Sequence, residues 1–325
     1  MDQIVPRFDS VTVFGGATVD YVAQSLAKPV AGASNPGSAH RVPGGVGFNV
    51  ACVLARLGIR TRLVTRVGAD ADGEAIMAAA RSAGVDTAAV SVSPATPSAA
   101  YHAALDDEGN LIVGIADMAI FDEISPASVA PGIKGASSDR DFWIVDANLP
   151  EDTLAFLAVE ANTRLRQIAA LTVSPAKATK LLPLLDRLSY LFTNRREAAA
   201  LLWRDPDDAA IPVSRLASDL ARTRMTKVIV TNGMEPLAAA SSRDVRSYAP
   251  FRAAVHGVNG AGDSLAAGTI RGRASGHPLS DAIRFGLAAS AIAVEAGSVV
   301  AAEFSEDALA ERMGAGRSGK AQAAS

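Results

Sequence analysis

Cysteine is almost missing from this sequence, since Cys52 is the only one among 325 residues. An internal disulfide and a cysteine-ligated metal site are therefore excluded. Cys52 lies inside an apolar helical pattern, which indicates a small core residue. The four histidines, His40, His102, His256 and His277, are far apart and lack the spacing of metal ligands, so a structural zinc site is not expected.

Aromatic residues and net charge are also scarce. Phe, Trp and Tyr make up 5% of the chain, the formal net charge is -3, and the Arg and Lys residues are scattered. Nucleic-acid-binding proteins need basic patches or aromatic stacking platforms, so we expect no nucleic-acid partner. The remaining composition, 49% hydrophobic and 20% charged, is typical of a globular protein with a large core.

The sequence also lacks a long uninterrupted apolar segment. Its first ten residues carry Asp2, Arg7 and Asp9, where a secretory signal would be apolar. The most apolar region, GLAASAIAVEAGSVVAA, is interrupted by Glu295 and is rich in alanine and glycine, unlike a membrane span. We therefore expect a cytoplasmic protein with no membrane partner.

Short apolar runs alternate with longer helical patterns along the chain, which predicts a mostly parallel sheet with helices on both faces. The predicted strands are 11–16, 61–68, 141–147, 169–174, 190–194 and 227–233. The predicted helices are Val46–Leu57, Asp72–Ala83, Pro175–Leu185, Arg195–Trp203, Pro212–Arg222, Asp263–Arg271 and Leu279–Ala296.

Two segments depart from this alternation. Residues 17–43 have a turn-rich centre, GASNPGS, and residues 96–120 contain two alternating runs typical of a β-hairpin. Together they could form a small antiparallel sheet that covers the carboxyl ends of the main strands as a lid, or they could be surface decoration. The tail 314–325 lacks periodicity and is predicted to be disordered, which leaves 1–313 as one domain.

Two glycine-rich segments each lead directly into a predicted helix. In the first, VHGVNGAGDSLAAG, residues Gly260, Ala261 and Gly262 precede Asp263. Asp263 could be an ordinary N-cap. Alternatively, the small residues leave backbone amides open to an anion at the helix N-terminus, and Asp263 acts as a base beside that anion.

The other segment is PGGVGFNVACVLARLG, residues 43–58. Gly44 and Gly45 allow the backbone to approach a ligand closely, and Asn49 lies in the first turn of the helix, where it could also be a simple cap. The spacing fits neither the dinucleotide fingerprint GxGxxG nor the P-loop GxxxxGK[ST]. A dinucleotide-binding oxidoreductase is therefore excluded.

In their order along the chain and in their separation, the two segments resemble the signatures of the ribokinase-like (PfkB) family of carbohydrate and nucleoside kinases. The resemblance extends from Val11 to about Val300. Further stretches that resemble family motifs are GGATVD with Asp20, TNRREAAALL with Asn194 and Glu197, and VIVTNG with Thr231 and Gly233. The resemblance implies a ribokinase-like three-layer α/β/α fold, with a mostly parallel sheet and a small antiparallel β lid.

The resemblance also implies ATP-dependent phosphoryl transfer to a hydroxyl group of a small sugar or nucleoside. Asp263 would take the proton of that hydroxyl, and Gly260, Ala261 and Gly262 would form the anion hole for the phosphoryl group. Magnesium binds through few protein ligands, here Asn194 and Glu197. The residues implied for ATP are Asn194, Thr231, Gly233 and Gly262, and those implied for the acceptor are Asp20, Gly44, Gly45 and Asn49.

Within the family, the stretches ASNPG, ADMAIFDEISP and VSPAKATK are similar to those of pseudouridine kinases. This implies transfer to the 5′-hydroxyl of pseudouridine, while ribose, another nucleoside or a ketose remain alternatives because acceptor choice depends on the variable lid. Lys177 would steer the sugar 5′ end or the phosphate, unless it is only an exposed helix lysine. The remaining candidate acceptor contacts, all on the proposed lid, are Ser34, Asn35, Thr96 and Tyr101.

The segment that contains Asp263 departs from the family pattern D-[TV]-T-G-A-G-D. Gly257 replaces the acid associated with a monovalent-cation site, and Asn259 replaces a threonine, so activation by K⁺ is not expected. These departures keep open a non-catalytic sugar- or nucleoside-binding protein, although the retained Asp263 argues against it. An exposed edge of the lid sheet could also pair with a second copy of the chain as a homodimer.

Overall fold

The structure is a computed structural model that describes residues 8–135, 138, 140–222, 226–297 and 304–322. The strands are β1 (Ser10–Phe14), β2 (Thr18–Ser25), β3 (Gly37–Gly44), β4 (Arg60–Val64), β5 (Arg66–Gly68), β6 (Ser91–Ser93), β7 (Ala100–Leu105), β8 (Leu111–Asp117), β9 (Asp141–Asp146), β10 (Ile168–Leu171), β11 (Tyr190–Asn194), β12 (Lys227–Asn232), β13 (Glu235–Ala240) and β14 (Val245–Tyr248). The helices are α1 (Val46–Arg56), α2 (Ala71–Ser82), α3 (Pro126–Lys134), α4 (Glu151–Thr163), α5 (Pro175–Ala178), α6 (Arg195–Leu201), α7 (Val213–Arg222), α8 (Ala261–Ala274), α9 (Leu279–Ala296) and α10 (Glu306–Gln322).

The main sheet has the strand order β14-β13-β12-β11-β10-β9-β1-β4. The strands from β12 to β4 are parallel, whereas β13 and β14 are antiparallel at one edge. Every residue of β1 and of β9 is buried, as expected for parallel strands that are covered on both faces. The carboxyl ends of these parallel strands therefore face the same edge of the sheet.

Alternate side chains of the main strands enter two separate cores, one on each face. Phe142 packs in the core that contains α1, α8 and α9. Its neighbour Trp143 packs in the opposite core, which contains α4, α6 and α7. The two cores confirm the predicted three-layer α/β/α architecture. No helix among the described residues is long and apolar enough to cross a bilayer.

The segments 17–43 and 96–120 form one small sheet, as predicted, with the order β3-β2-β7-β8. We call this sheet the lid. The outer pairings β2–β3 and β7–β8 are antiparallel, but the central pairing β2–β7 is parallel. Both β2 and β7 leave the body of the protein and enter the lid, so these two inner strands run in the same direction.

Some predicted elements are divided. The predicted strand 61–68 becomes β4 and a separate β5, which pairs with β6 in a sheet of its own. The predicted helix Pro175–Leu185 is one α-helical turn followed by a 3-10 helix that contains Pro183, whose missing N–H cannot continue α-helical hydrogen bonding. The edge strands β13 and β14 and the helices α3 and α4 were not predicted.

The tail 314–325, which is predicted to be disordered, begins inside the last helix. Helix α10 continues to Gln322. Leu309 is buried and Met313 packs against the same core, so the first half of α10 is anchored. Adding residues to an existing helix costs far less than nucleating one. Residues 323–325 lie outside the described residues.

Candidate active site

The two glycine-rich segments meet in one place. The N-cap of helix α8 is Gly260, whose φ of 73° lies in the left-handed region and which makes no side-chain cap bond. Asp263 is therefore not the N-cap but the third residue of α8. Helix α1 packs against α8, and Nδ2 of Asn49 donates a hydrogen bond to Oδ2 of Asp263 at 2.8 Å. Both predicted motifs thus contribute to one site.

The carboxyl group of Asp263 has a strongly altered acidity. Burial raises its pKa to about 7, and the hydrogen bond from Asn49 opposes this change. The charges of Asp146, Glu197 and Asp20 raise the pKa further. A carboxyl group whose pKa lies near the working pH is well suited to accept a proton and release it again.

An anion cradle lies at the start of α8. The first N–H groups of a helix have no acceptor within the helix, and Ala261 N makes only a long bond of 3.3 Å to the carbonyl of Val258. A Cβ atom added to Gly262 would meet no heavy atom within 4 Å, so open space surrounds this residue. The segment can therefore receive a phosphoryl group beside Asp263.

Asp20 forms the lid side of the site. Oγ1 of Thr18 donates a hydrogen bond to Oδ1 of Asp20 at 3.0 Å, and burial raises the pKa of Asp20. A Cβ atom on Gly44 would lie 3.0 Å from Asp20 Oδ2, so glycine leaves this carboxylate accessible. Gly45 has a φ of 93° and packs on the backbone of the β1–β2 loop. Tyr101 is the register partner of Asp20 across β2 and β7.

Asn194 and Glu197 form a capping box at the start of α6. Asn194 Oδ1 accepts from Glu197 N at 3.0 Å, and Asn194 N donates to Glu197 Oε2 at 3.1 Å. Thr172 also donates to Oε2 of the buried Glu197. These bonds leave Oε1 as an oxygen ligand of the kind that Mg²⁺ prefers, so the donor set fits that ion. Among the described residues there is no group of three or more His, Cys, Asp or Glu placed to hold a metal.

The residues implied for ATP lie beside this box. Thr231 of β12 is the register partner of Asn194 of β11. Gly233 follows in the turn between β12 and β13, with a φ of 61° that favours glycine. The parallel pairing of these strands places the proposed nucleotide residues at one edge of the sheet.

Ser34 and Asn35 do not join the site within this chain. They occupy the exposed turn of the β2–β3 hairpin, beyond the last pair Ser25–Gly37. The hairpin extends from Asp20 to Ser25, which is about 17 Å at the usual rise of a strand. The Asn35 side chain already bonds both the N–H and the carbonyl of Val30. Its amide satisfies the backbone of its own turn, as Asn often does.

Thr96 is also engaged elsewhere. Its hydroxyl donates to Glu123, which is paired with Arg66 at 2.6 Å. In this arrangement the hydroxyl proton of Thr96 is committed to Glu123.

Lys177 is half-buried and is not simply an exposed helix lysine. Its Nζ donates to Oδ1 of Asn148 at 2.6 Å. Burial lowers its pKa, while the nearby charge of Asp146 acts in the opposite direction. Neither Asp146 nor Asn148 was predicted from the sequence, although both follow a buried strand at its carboxyl end, where ligand sites of parallel sheets are found.

Comparison with known proteins agrees with this geometry. The pattern of the pfkB family carbohydrate kinases matches residues 9–304. The chain is 28% identical to the pseudouridine kinase of Escherichia coli (strain K12) over 296 residues, covering 88% of this chain and 90% of that protein. It is also 28% identical to the ribokinase of Bacillus subtilis (strain 168), covering 88% and 92%.

Two solved structures show the same fold. The carbohydrate kinase from Agrobacterium tumefaciens superposes with a TM-score of 0.81 at 33% identity, covering 94% of this chain and 97% of that one. The ribokinase of Arabidopsis thaliana, complexed with ribose and ATP, gives a TM-score of 0.78 at 18% identity, covering 94% and 99%. This chain belongs to the PfkB family of carbohydrate kinases and has the ribokinase-like fold.

Proposed function

We propose that this kinase transfers the γ-phosphoryl group of ATP to the 5′-hydroxyl of pseudouridine and forms pseudouridine 5′-phosphate and ADP. The observation that carries the chemistry is the hydrogen bond from Asn49 to Asp263 beside the open start of α8. The acceptor is supported by the pseudouridine kinase among the relatives and by Lys177, which is held near the site by Asn148.

In the proposed reaction, Asn49 holds Oδ2 of Asp263, which leaves Oδ1 to accept the proton of the attacking hydroxyl. The hydroxyl oxygen forms a bond to the γ-phosphorus, and the bond between that phosphorus and the β–γ bridging oxygen of ADP breaks. The backbone N–H groups at the start of α8 stabilise the charge on the transferring group. Asp20 orients the sugar through its hydroxyls, opposite Gly44.

Asn194 and Glu197 would hold Mg²⁺, which when bound neutralises charge on the phosphate oxygens. The capping box fixes both side chains relative to β11 and α6 before any ligand arrives. Such preorganised positioning accounts for most of the catalysis in phosphoryl transfer, because the protein has little covalent chemistry to do.

The test is an ADP-release assay with pseudouridine, uridine, ribose and a ketose as acceptors and Asp263→Asn as the control. We expect kcat/KM to be highest for pseudouridine and ADP release to depend on Asp263. Equal or better turnover of ribose would overturn the acceptor and keep the kinase. Turnover that survives in Asp263→Asn would overturn the role of the base.

Ribose, another nucleoside or a ketose remains the second candidate acceptor. The ribokinase relative has the same 28% identity as the pseudouridine kinase relative, and Asp20 opposite Gly44 can bind the hydroxyls of any furanose. The non-catalytic alternative is disfavoured, because a binding protein has no need of a carboxyl group whose pKa is raised to about 7 beside an anion cradle.

A further inference from the structure

Asp146 is a buried carboxylate that the chemistry described above does not use. It ends β9 and is 1% exposed. Its Oδ2 accepts from Gly16 N at 2.8 Å, and its Oδ1 accepts from Asn148 N at 2.8 Å. One side chain therefore joins the loop after β1 to the loop after β9.

The Asp146 carboxylate lies so close to the surrounding backbone that the neighbouring glycines have no space for a side chain. A Cβ atom on Gly15 would lie 2.3 Å from Asp146 Oδ2, and one on Gly47 would lie 3.1 Å from it. The end of β1, the start of α1 and the end of β9 thus converge on Asp146. These are the segments that carry Asp20 and Asn49 into the proposed acceptor site.

The loop after β9 extends the connection to a cation. Asn148 is fixed through its backbone N–H by Asp146, and its side chain Oδ1 accepts from Lys177 Nζ at 2.6 Å. Asn148 also packs against Gly16, where a Cβ atom would lie 2.6 Å from its Nδ2. The position of the Lys177 ammonium group therefore depends on the same carboxylate as the β1–β2 loop.

A second buried aspartate, at the other end of β9, shows what a purely structural carboxylate looks like here. Asp141 is 4% exposed and accepts from the hydroxyls of Ser10 and Thr12 and from Trp143 Nε1. All of these donors are core residues of strands β1 and β9, and none belongs to a loop of the site. Asp141 is therefore a matched control on the same strand.

We propose that Asp146 is a positioning residue of the acceptor site, which holds the β1–β2 loop that leads into Asp20 and, through Asn148, the ammonium group of Lys177. The proposal rests on the proposed function, in that the two held groups are taken to bind the acceptor. A displacement of about 1 Å in such groups costs on the order of 100-fold in rate.

The first experiment compares Asp146→Asn with Asp141→Asn in steady-state kinetics. Asparagine keeps one acceptor oxygen, so only one of the two backbone donors stays bonded. We expect acceptor kcat/KM to fall about 10- to 100-fold, mainly through the acceptor KM, with the KM for ATP unchanged. Asp141→Asn should lower Tm and leave both KM values unchanged. An unchanged acceptor KM in Asp146→Asn, or an equal rise in both variants, would overturn the proposal.

Asn148→Ala keeps the test decisive if Asp146→Asn does not fold. This variant leaves the carboxylate and its two backbone bonds in place. It removes the bond to Lys177 together with the side-chain contact between Asn148 and Asp146. We expect a smaller rise in the acceptor KM than for Asp146→Asn, again with the KM for ATP unchanged. No change in the acceptor KM would refute the connection through Asn148.

The second experiment needs no substrate, so it separates a wrong acceptor from a wrong positioning role. The pKa of Lys177 is followed by ¹³C NMR of the lysine Cε in the free protein, assigned with Lys177→Arg. The charged groups that act on Lys177 are Asp146, Asp122 and Lys180. Asp146→Asn removes an attractive charge, so the pKa of Lys177 should fall. An unchanged pKa would show that the two groups are not coupled, even if pseudouridine is the acceptor.

Discussion

Asp263 and Asp20 face the proposed acceptor from two halves of the molecule that are built differently. In the body half, Asp263, Asn49 and Asp146 lie on helices and a buried strand that pack into two large cores. The lid half contains Asp20 and ends in β8, whose residues are all exposed. On the proposed function, the chemistry lies where packing fixes the backbone, and acceptor choice lies in the more exposed lid.

The largest effect should come from the body half. Asp263→Asn removes the base, and we expect kcat to fall about 100- to 10,000-fold with little change in the acceptor KM. The variant should still fold. Because burial raises the pKa of Asp263 from 3.8 to about 7 in the folded state, this carboxyl group lowers stability progressively as the pH rises between these two values, and its full cost is present above pH 7. The free energy of unfolding at pH 8 should therefore be no lower in Asp263→Asn, which a denaturant titration can check.

The same Asp-to-Asn substitution in the lid half should change the acceptor KM more than kcat. Asp20→Asn weakens charge-assisted hydrogen bonds to the sugar, so we expect the acceptor KM to rise about 10- to 100-fold with a smaller loss of kcat. Steady-state kinetics against acceptor and ATP provide the measurement. A loss confined to kcat would show that Asp20 belongs with the chemistry, and the comparison between the halves would fail.

The lid edge should control assembly and not chemistry. The side chains of Leu111, Ile112, Val113 and Ile115 on β8 are 51–61% exposed, and an unpaired apolar edge strand invites pairing with another copy. We expect a homodimer that Ile115→Lys converts to monomer in sedimentation velocity. Val159→Lys, on α4 of the body, is the matched control, because Val159 is 45% exposed but not on a strand edge. A wild-type monomer would contradict this expectation.

A smaller effect is expected on the pH dependence of kcat/KM, which tests the electrostatics around Asp263. Since Asp263 must be ionised to accept a proton, kcat/KM should fall as the pH drops through about 7. The hydrogen bond from Asn49 lowers the pKa of Asp263, so Asn49→Ala should move this acid limb to higher pH. A pH–rate profile from 5.5 to 9 checks the direction. A limb that moves to lower pH would mean that another group titrates.

The smallest expected effect concerns monovalent cations. Gly257 stands where the family signature has an acid, and a Cβ atom there would lie 3.2 Å from the Cα of Gly297. The close backbone contact fills the space that a larger side chain would need. We expect the same rate in K⁺ and in Na⁺ at fixed ionic strength, whereas clear activation by K⁺ would show that backbone carbonyls suffice.

The fold could largely be predicted, and the two glycine-rich motifs could be located, because their signals are local. Glycines before a helix and apolar runs between helical patterns reflect backbone geometry and burial, which act over a few residues. Asp146 was not predicted as a site residue because its partners Gly16 and Lys177 lie far away in the sequence. The apolar pattern of the strand that it ends indicates only a core strand. Whether the amide of Asn35 bonds its own turn or a ligand is decided by the folded loop and not by the local sequence, so its role in acceptor binding stays a prediction.

The bond between Asn49 and Asp263 joins residues 214 positions apart. During synthesis, the amino-terminal strands can pair and the lid can form long before this bond exists. The carboxylate appears only when the last quarter of the chain emerges, and the contact must then close a very long loop, which slows folding. A ribosome-stalled or truncated product that ends before α8 would therefore lack Asp263 and also the side chains of α8 and α9 that complete one of the two cores.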